Sequence, residues 1–150
     1  MLKALLLLLQ VTQHYLVMQP VQEALVNGRF EALAPICRPK VVVNLEEPFS
    51  IRGALAAAQF IGEFSGRFAG LEAEKIEWSS LQVEEDNAVQ SLNLILKKRF
   101  SGARVLYKLI LFMNSEARPG EEKEWKLYYL RGLRVGPPPR PCSWPRPGPG

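Results

Sequence analysis

Histidine and cysteine are scarce in this 150-residue sequence, which contains one histidine, His14, and two cysteines, Cys37 and Cys142. Histidine is the most common general base and zinc ligand, and structural zinc sites group their cysteines at short spacings. Neither pattern is present, so we expect no metal site, no cofactor and no histidine-dependent catalytic triad. The two cysteines do not favour a disulfide, because Cys142 lies in a proline-rich tail.

Long apolar runs and a strong surplus of one charge are also missing. No uninterrupted apolar stretch reaches the ~18–20 residues that a membrane-spanning helix requires. The net charge is +4, but Arg140 and Arg146 lie in the tail, so residues 1–135 carry 17 basic against 15 acidic groups. The one basic run, at 97–99, precedes a Ser101-Gly102 turn and is interpreted as a solvated strand end, with anion binding as the alternative. We therefore expect no integral membrane span and no nucleic-acid binding.

The sequence has the length and composition of one globular domain, with an unusual segment at each terminus. Hydrophobic residues make up 47% of the sequence and charged residues 23%, which indicates a single domain over residues 19–135. Residues 136–150 contain seven prolines and three glycines and are predicted to be a disordered or polyproline II tail. Residues 1–18 are either a signal peptide or an N-terminal extension. The chain is secreted or periplasmic in the first case and cytoplasmic in the second.

The first half of the domain is predicted to be mainly helical. Residues 21–25 place apolar side chains on one helical face, and Asn27-Gly28 supplies a stop. A short second helix is predicted over 30–35. The β-branched run 41–43 then predicts a strand of about five residues.

The segment 51–70 predicts the longest helix of the chain. Its apolar residues recur at helical spacing and Gly70 closes it. The small residues at 56–58 would let this helix approach a sheet closely. The apolar residues are Ala57, Phe60, Ile61, Phe64 and Phe68.

The second half changes to the alternation of β-strands. Turn sequences separate four predicted strands, which would pair with their neighbours as antiparallel hairpins. The element order predicts an α+β domain with helices on one face of a curved antiparallel sheet. The predicted strands are 76–83, 88–96, 105–113 and 125–135.

Four short motifs stand out in the predicted domain. They are LVNGRFEAL at 25–33, the valine-rich strand, Ile51-Arg52-Gly53 at the start of the long helix, and WKLYYLR at 125–131. Together they resemble the nuclear-transport-factor-2-like superfamily, also called cystatin-like or steroid-isomerase-like, and particularly its small bacterial members of unknown function. The resemblance covers residues 19–135. It implies a cone in which a bent antiparallel sheet wraps the long helix, with two shorter N-terminal helices. It also implies an apolar pocket at the open end, which members use for catalysis, ligand binding or protein contact.

The catalytic groups of the enzymes in this superfamily have no clear counterparts. Ketosteroid isomerases place an aspartate base and a hydrogen-bonding tyrosine in the pocket, whereas the only aspartate here, Asp86, falls in a predicted turn. A His-Asp pair is disfavoured because His14 precedes the resembling region. The strand pattern favours solvated carboxylates for the remaining candidates, so no catalytic residue is assigned, although enzymatic activity is left open. These candidates are Glu46, Glu47, Glu63 and Glu77.

Polar or aromatic side chains that share a strand face with apolar ones are the candidates for lining a pocket. Tyr107 falls in phase with apolar neighbours of its strand, and Tyr129 is predicted to share a face with Trp125 and Leu127. The alternative interpretation is that these aromatics belong to the core. The pocket candidates are Phe64, Trp78, Gln90, Tyr107, Trp125 and Tyr129.

Strand 88–96 is partly apolar on both faces, which is expected when one face packs on helices and the other contacts a partner or a second subunit. Three hypotheses follow. The first is a noncatalytic module whose conical pocket or sheet face binds a small apolar ligand or a protein. The second is a glutamate-dependent isomerase or lyase with Tyr107 or Tyr129 as the partner. The third is a structural homodimer in which the sheet faces pack together.

Overall fold

The structure is a computed structural model that describes residues 18–115 and 124–136. These residues contain three helical segments and seven strands. Helix α1 includes residues 18–27, a 3₁₀ helix spans Phe30–Ile36, and helix α2 spans Ala57–Phe68. The strands are β1 Cys37–Leu45, β2 Ile51–Ala56, β3 Leu71–Trp78, β4 Gln82–Glu84, β5 Asn87–Lys98, β6 Arg104–Asn114 and β7 Lys126–Gly136. The predicted signal peptide or extension, except residue 18, and the predicted tail, except residue 136, lie outside the described residues.

The two N-terminal helices form as their apolar spacing predicts. In α1, Val21, Ala24 and Leu25 are buried, and the helix stops where Gly28 takes a φ of 69° that glycine adopts readily. The 3₁₀ helix buries Phe30, Leu33 and Ile36, whose spacing of three matches its three residues per turn. It runs one residue beyond the predicted end at Pro35. None of the helices in the described residues has the length and apolar character needed to cross a membrane.

The prediction of a helix beginning at Ile51 was wrong. Residues 51–56 form β2, which pairs antiparallel with β1. Gly53 has a φ of 128°, outside the helical region, and the pairing supplies backbone partners that a local pattern does not reveal. Helix α2 therefore starts at Ala57, and its buried stripe of Phe60, Phe64 and Phe68 follows the predicted spacing.

The sheet is curved, unclosed and mixed, with strand order β2-β1-β7-β6-β5-β3 and with β4 also paired to β5. The predicted antiparallel pairing is correct for β5 with β6 and for β6 with β7, whereas β1 pairs with β7 in parallel. The predicted strand at 76–83 is two strands, β3 and β4, that pair with different parts of β5. The predicted α+β class, with helices laid on a curved sheet, is confirmed.

The two faces of the sheet differ sharply along β5 and β6. Alternate residues from Ala88 to Leu96 and from Val105 to Met113 are buried, and this inner face packs on the helices. The residues between them point to the opposite, outer face and are mostly half-buried. This alternation is the period-two pattern of strands that have one face in the core.

We predict that Gly132→Ala destabilises the protein by about 1–3 kcal/mol, the usual cost of overpacking a core. A Cβ at Gly132 would lie 2.2 Å from the Tyr107 hydroxyl oxygen and 2.7 Å from Leu45 Cδ2. Both side chains are completely buried, so neither can move aside freely. Urea denaturation followed by tryptophan fluorescence measures the effect.

The matched control is Gly62→Ala in the middle of α2, where a Cβ meets nothing within 4 Å. This change should stabilise the protein by about 0.5–1 kcal/mol, since alanine favours helix more than glycine does. A Gly132→Ala variant as stable as the wild type would show that Tyr107 is not packed as described.

Candidate functional site

Five of the six predicted pocket residues lie in the core or on the inner face of the sheet, and Tyr129 lies on the outer face. Phe64 on α2 and Tyr107 on β6 both pack against the Phe49 ring. Trp78 and Gln90 lie diagonally across β3 and β5 on the inner face, given the pairing of Trp78 with Leu92. Trp125 is buried in the hydrophobic core just before β7, and Tyr129 lies on the outer face.

The position of Tyr129 differs from the prediction because β7 contains a bulge. Leu127 pairs with Met113 and Tyr129 pairs with Phe112, so Tyr128 is an extra residue relative to β6. An extra residue in one strand reverses the face of every residue beyond it. Tyr129 consequently does not share a face with Leu127, and its ring instead contacts Phe112, with centroids 5.1 Å apart at 83°.

Aromatic rings pack against one another in the core. The Phe49 ring centroid lies 5.1 Å from those of Phe64 and Tyr107 and 6.2 Å from that of Phe68. The Phe30 centroid lies 5.3 Å from that of Phe64. Rings at these separations are in van der Waals contact. We call Phe30, Phe49, Phe60, Phe64, Phe68 and Tyr107 the aromatic cluster.

Tyr107 is tied to the backbone. Its hydroxyl donates a hydrogen bond to the carbonyl oxygen of Glu46 at 3.0 Å, and its side chain is completely buried. Burial, and secondarily the negative charge of Glu46, raises the pKa of Tyr107 well above its usual range. The hydroxyl thus stays protonated at neutral pH and serves as a structural donor.

Buried carboxylates are absent from the described residues, in which the buried polar side chains are Gln90 and Ser115. Glu77 is exposed and pairs with Lys75 at 2.8 Å, as its position among polar neighbours predicted. The other glutamates considered as bases, Glu46, Glu47 and Glu63, are exposed too. Nowhere in 18–115 or 124–136 do three metal-binding side chains come together.

Gln90 and Trp78 place polar atoms on the otherwise apolar inner face. The side-chain amide of Gln90 donates a hydrogen bond to the carbonyl oxygen of Ser79 at 2.9 Å. The indole nitrogen of Trp78 is buried and has no hydrogen-bond partner in the described part of the chain. Gln90 therefore fastens the end of β3 to β5, which is a structural role.

The outer face carries an unusual number of apolar side chains for a surface turned to solvent. On β6, apolar residues occupy three of the outward positions, Leu106, Ile110 and Phe112, and each is half-buried. Val42 on β1 is 43% exposed. The apolar patch of the outer face consists of Val42, Val89, Ile95, Leu106, Ile110, Phe112, Tyr129 and Leu133.

Polar residues surround and interrupt this patch. Asn93 pairs with Lys108, and Arg131 pairs with Ile110, all on the outer face. An apolar centre with a polar surround is the usual composition of a protein interface. Phe112 was not among the predicted site residues, although the alternation of apolar residues along 106–112 was the signal that could have revealed it.

Comparisons with known proteins place this geometry in a recognised fold. No protein-family model matches the sequence, and no curated protein does either. Solved structures do match. A ketosteroid isomerase-like protein from Erwinia carotovora atroseptica has a TM-score of 0.60 at 11% identity, covering 82% of this chain and 96% of that one. The chain has the nuclear-transport-factor-2-like fold.

Two further structures with this fold have no assigned function. An NTF2-like protein of unknown function in nutrient uptake from Rhodospirillum rubrum has a TM-score of 0.56 at 11% identity, with 79% of this chain and 95% of that one covered. A DUF4783 family protein from Bacteroides uniformis has a TM-score of 0.59 at 9% identity, with 78% and 95% covered. Identities this low establish a shared nuclear-transport-factor-2-like fold, and a fold alone does not determine function.

We predict that Tyr107→Phe lowers the free energy of unfolding by about 0.5–1.5 kcal/mol, because it removes the hydrogen bond from the Tyr107 hydroxyl to the Glu46 carbonyl, whose backbone donors Phe49 and Ser50 remain. The control is Tyr128→Phe at the half-buried bulge, which should change stability by less than about 0.5 kcal/mol. Urea denaturation at neutral pH measures both. Equal stability of Tyr107→Phe and the wild type would rule out the hydrogen bond.

Tyr107→Phe should also change how stability depends on pH in the alkaline range. A tyrosine in the unfolded chain ionises near pH ~10, whereas Tyr107 in the folded protein holds its proton to higher pH. The free energy of unfolding of the wild type therefore falls as the pH rises above ~10, since the unfolded state releases a proton that the folded state retains. Burial also raises the pKa of the Cys37 thiol, to about 11. Its effect on the pH dependence of stability is the same in the wild type and in Tyr107→Phe. The wild type should lose stability more steeply than Tyr107→Phe, and parallel pH profiles would contradict this.

Proposed function

We propose that this chain is a noncatalytic binding module that uses the outer face of its sheet to associate with a protein partner, a second copy of the same chain. The observation that carries the proposal is the apolar patch of the outer face. Its centre is formed by Ile110 and Phe112 on β6 and Tyr129 on β7, at the middle of the strand order. Burying half-exposed apolar side chains against a matching surface is favourable.

The size of the outer face fits such an association. Six neighbouring strands, spaced about 4.8 Å apart and rising about 3.3 Å per residue, give a face of roughly 700 Å². A stable interface of standard size buries about 800 Å² on each partner. One sheet face packed on another could therefore supply most of the area that a stable dimer requires.

A second copy is the partner that the chain itself provides. In a two-fold dimer the same patch serves both subunits, so an apolar centre meets an apolar centre. The cationic side chains nearest the centre of this face, Lys108 and Arg131, have long apolar stems that can cover neighbouring apolar surface while the charged ends reach water. The face needs no acidic counterpart at its centre for this arrangement.

The other hypotheses find less support in the described residues. A small apolar ligand inside the cone would have to displace rings of the aromatic cluster, which are in contact with one another. An isomerase or lyase would need a carboxylate beside the ligand, and the glutamates considered for this task are exposed. Association through the outer face requires no displacement of the aromatic rings and no carboxylate beside a ligand.

We expect the purified wild-type protein to sediment as a dimer at about 50 µM and Ile110→Lys to weaken dimerisation at least about tenfold. The lysine places a charge at the centre of the contact, where it would lose its hydration. Sedimentation equilibrium over a range of concentrations measures the dissociation constant.

Val26→Lys is the control, because Val26 at the end of α1 is 63% exposed but lies away from the outer face. This variant should dimerise like the wild type. A wild-type protein that remains monomeric at this concentration, or equal weakening by both substitutions, would refute the proposed interface.

A further inference from the structure

A second surface feature lies on the helix side of the sheet, at the end of the cone where α2 stops. It is a cleft of about 440 Å³ between the C-terminal end of α2, the β5–β6 hairpin and the loop that joins β1 to β2. Its volume falls in the range of small-molecule sites, about 300–1,000 Å³. Leu71, Val105 and Pro48 contribute apolar surface to its lining.

The cleft carries more positive than negative charge. Arg67, Lys98 and Arg134 line it, and Glu47 is the acidic residue among the lining residues. Arg134 lies 3.9 Å from Glu47. Arg67 and Lys98 have no carboxylate within ion-pair distance among the described residues. Two cations thus remain available to an anion from outside.

A fully exposed aromatic ring stands beside these cations. Phe100, on the turn of the β5–β6 hairpin, lines the cleft and is as exposed as in an extended chain. The ring has no packing role in the described fold, although a phenyl group in water is unfavourable. An apolar group bound in the cleft would cover part of the ring.

The walls of the cleft are held in place by hydrogen bonds. On one side, Arg99 donates from its backbone nitrogen to Gly70 and from its side chain to the carbonyl oxygen of Leu71, both at 3.0 Å. These bonds fix the hairpin against the end of α2. A site whose walls are already ordered loses less conformational entropy when it binds a ligand.

The opposite wall is fixed through Glu46. Its carbonyl oxygen accepts hydrogen bonds from the backbone nitrogens of Phe49 and Ser50 and from the Tyr107 hydroxyl. Its carboxylate accepts the backbone N–H of Arg134 at 2.9 Å. Ser50, which lines the cleft, has a φ of 51°, a conformation that persists only where surrounding contacts hold it.

We propose that this rim cleft binds a small organic carboxylate with an apolar, preferably aromatic, body. The carboxylate would lie between Arg67 and Lys98, since a guanidinium and an ammonium both donate charged hydrogen bonds to carboxylate oxygens. The apolar body would cover Pro48 and the Phe100 ring, which keep exposed apolar surface in the cleft. The site is separate from the outer face, so it does not depend on dimerisation.

Naphthalene-1-carboxylate is the probe, and its amide, naphthalene-1-carboxamide, is the uncharged match of nearly equal shape. We expect the wild-type protein to bind the carboxylate with a dissociation constant of roughly 0.1–1 mM and the amide at least about tenfold more weakly. Titration followed by ¹⁵N-¹H NMR should shift the amide signals of Ser50, Gly70, Ser101 and Gly102.

The double substitution Arg67→Gln with Lys98→Gln removes both available cations from exposed positions and should weaken carboxylate binding at least about tenfold. Lys40→Gln, which removes an exposed positive charge outside the cleft, should leave binding unchanged. NMR spectra of the free variants report whether each is folded.

Four results would overturn the proposal. The first is equal affinity for the carboxylate and the amide. The second is unchanged carboxylate affinity in the folded double variant. The third is a set of shifted amides away from the cleft. The fourth is the absence of any shift with 5 mM probe, a concentration about fivefold above the weakest affinity expected.

Discussion

The contact between Tyr107 and Gly132 is the constraint on which the interior of this protein depends. Gly132 has no Cβ, and the Tyr107 ring of the adjacent strand uses that space. The hydroxyl can then reach the Glu46 carbonyl in the connection between β1 and β2, while the ring meets Phe49 at 5.1 Å. One side chain thereby links two strands, a loop and the aromatic cluster. Because this position is so tightly packed, it stabilises the fold.

Two surfaces of the described residues differ from the packed aromatic cluster in what they leave exposed. The inner face of β5 and β6 is buried against the core, whereas the outer face keeps a half-exposed apolar patch centred on Ile110 and Phe112. The rim has a different character, with Arg67 and Lys98 next to the exposed Phe100 ring. These surfaces differ in their chemistry, since one is broadly apolar and the other carries positive charge beside an aromatic ring. Nuclear-transport-factor-2-like proteins are similar in fold rather than in function, so such local chemistry is the proper basis for a proposal.

Sequence patterns predicted what depends on local periodicity. The buried stripe of α2, the alternation along β5 and β6 and the solvation of Glu77 all follow from neighbouring residues. What was missed depends on distant pairings. Strand β2 forms because β1 lies beside it, and β1 in turn pairs with β7 from the far end of the sequence. The wrong face for Tyr129 came from one bulged residue, Tyr128, which alternation cannot reveal. The rim cleft brings together residues from α2, four strands and the loops between them. The basic run at 97–99 indicated one of its cations, Lys98, but sequence spacing could not place Arg67 beside it.

The most direct test of a filled interior is a crystal structure determined under xenon pressure, because xenon enters apolar cavities in proteins. The packing of Phe49, Phe64 and Tyr107 predicts no ordered xenon atom between these rings. An ordered xenon atom there, with the rings in unchanged positions, would reveal an open apolar pocket and contradict the assignment of function to the outer surfaces.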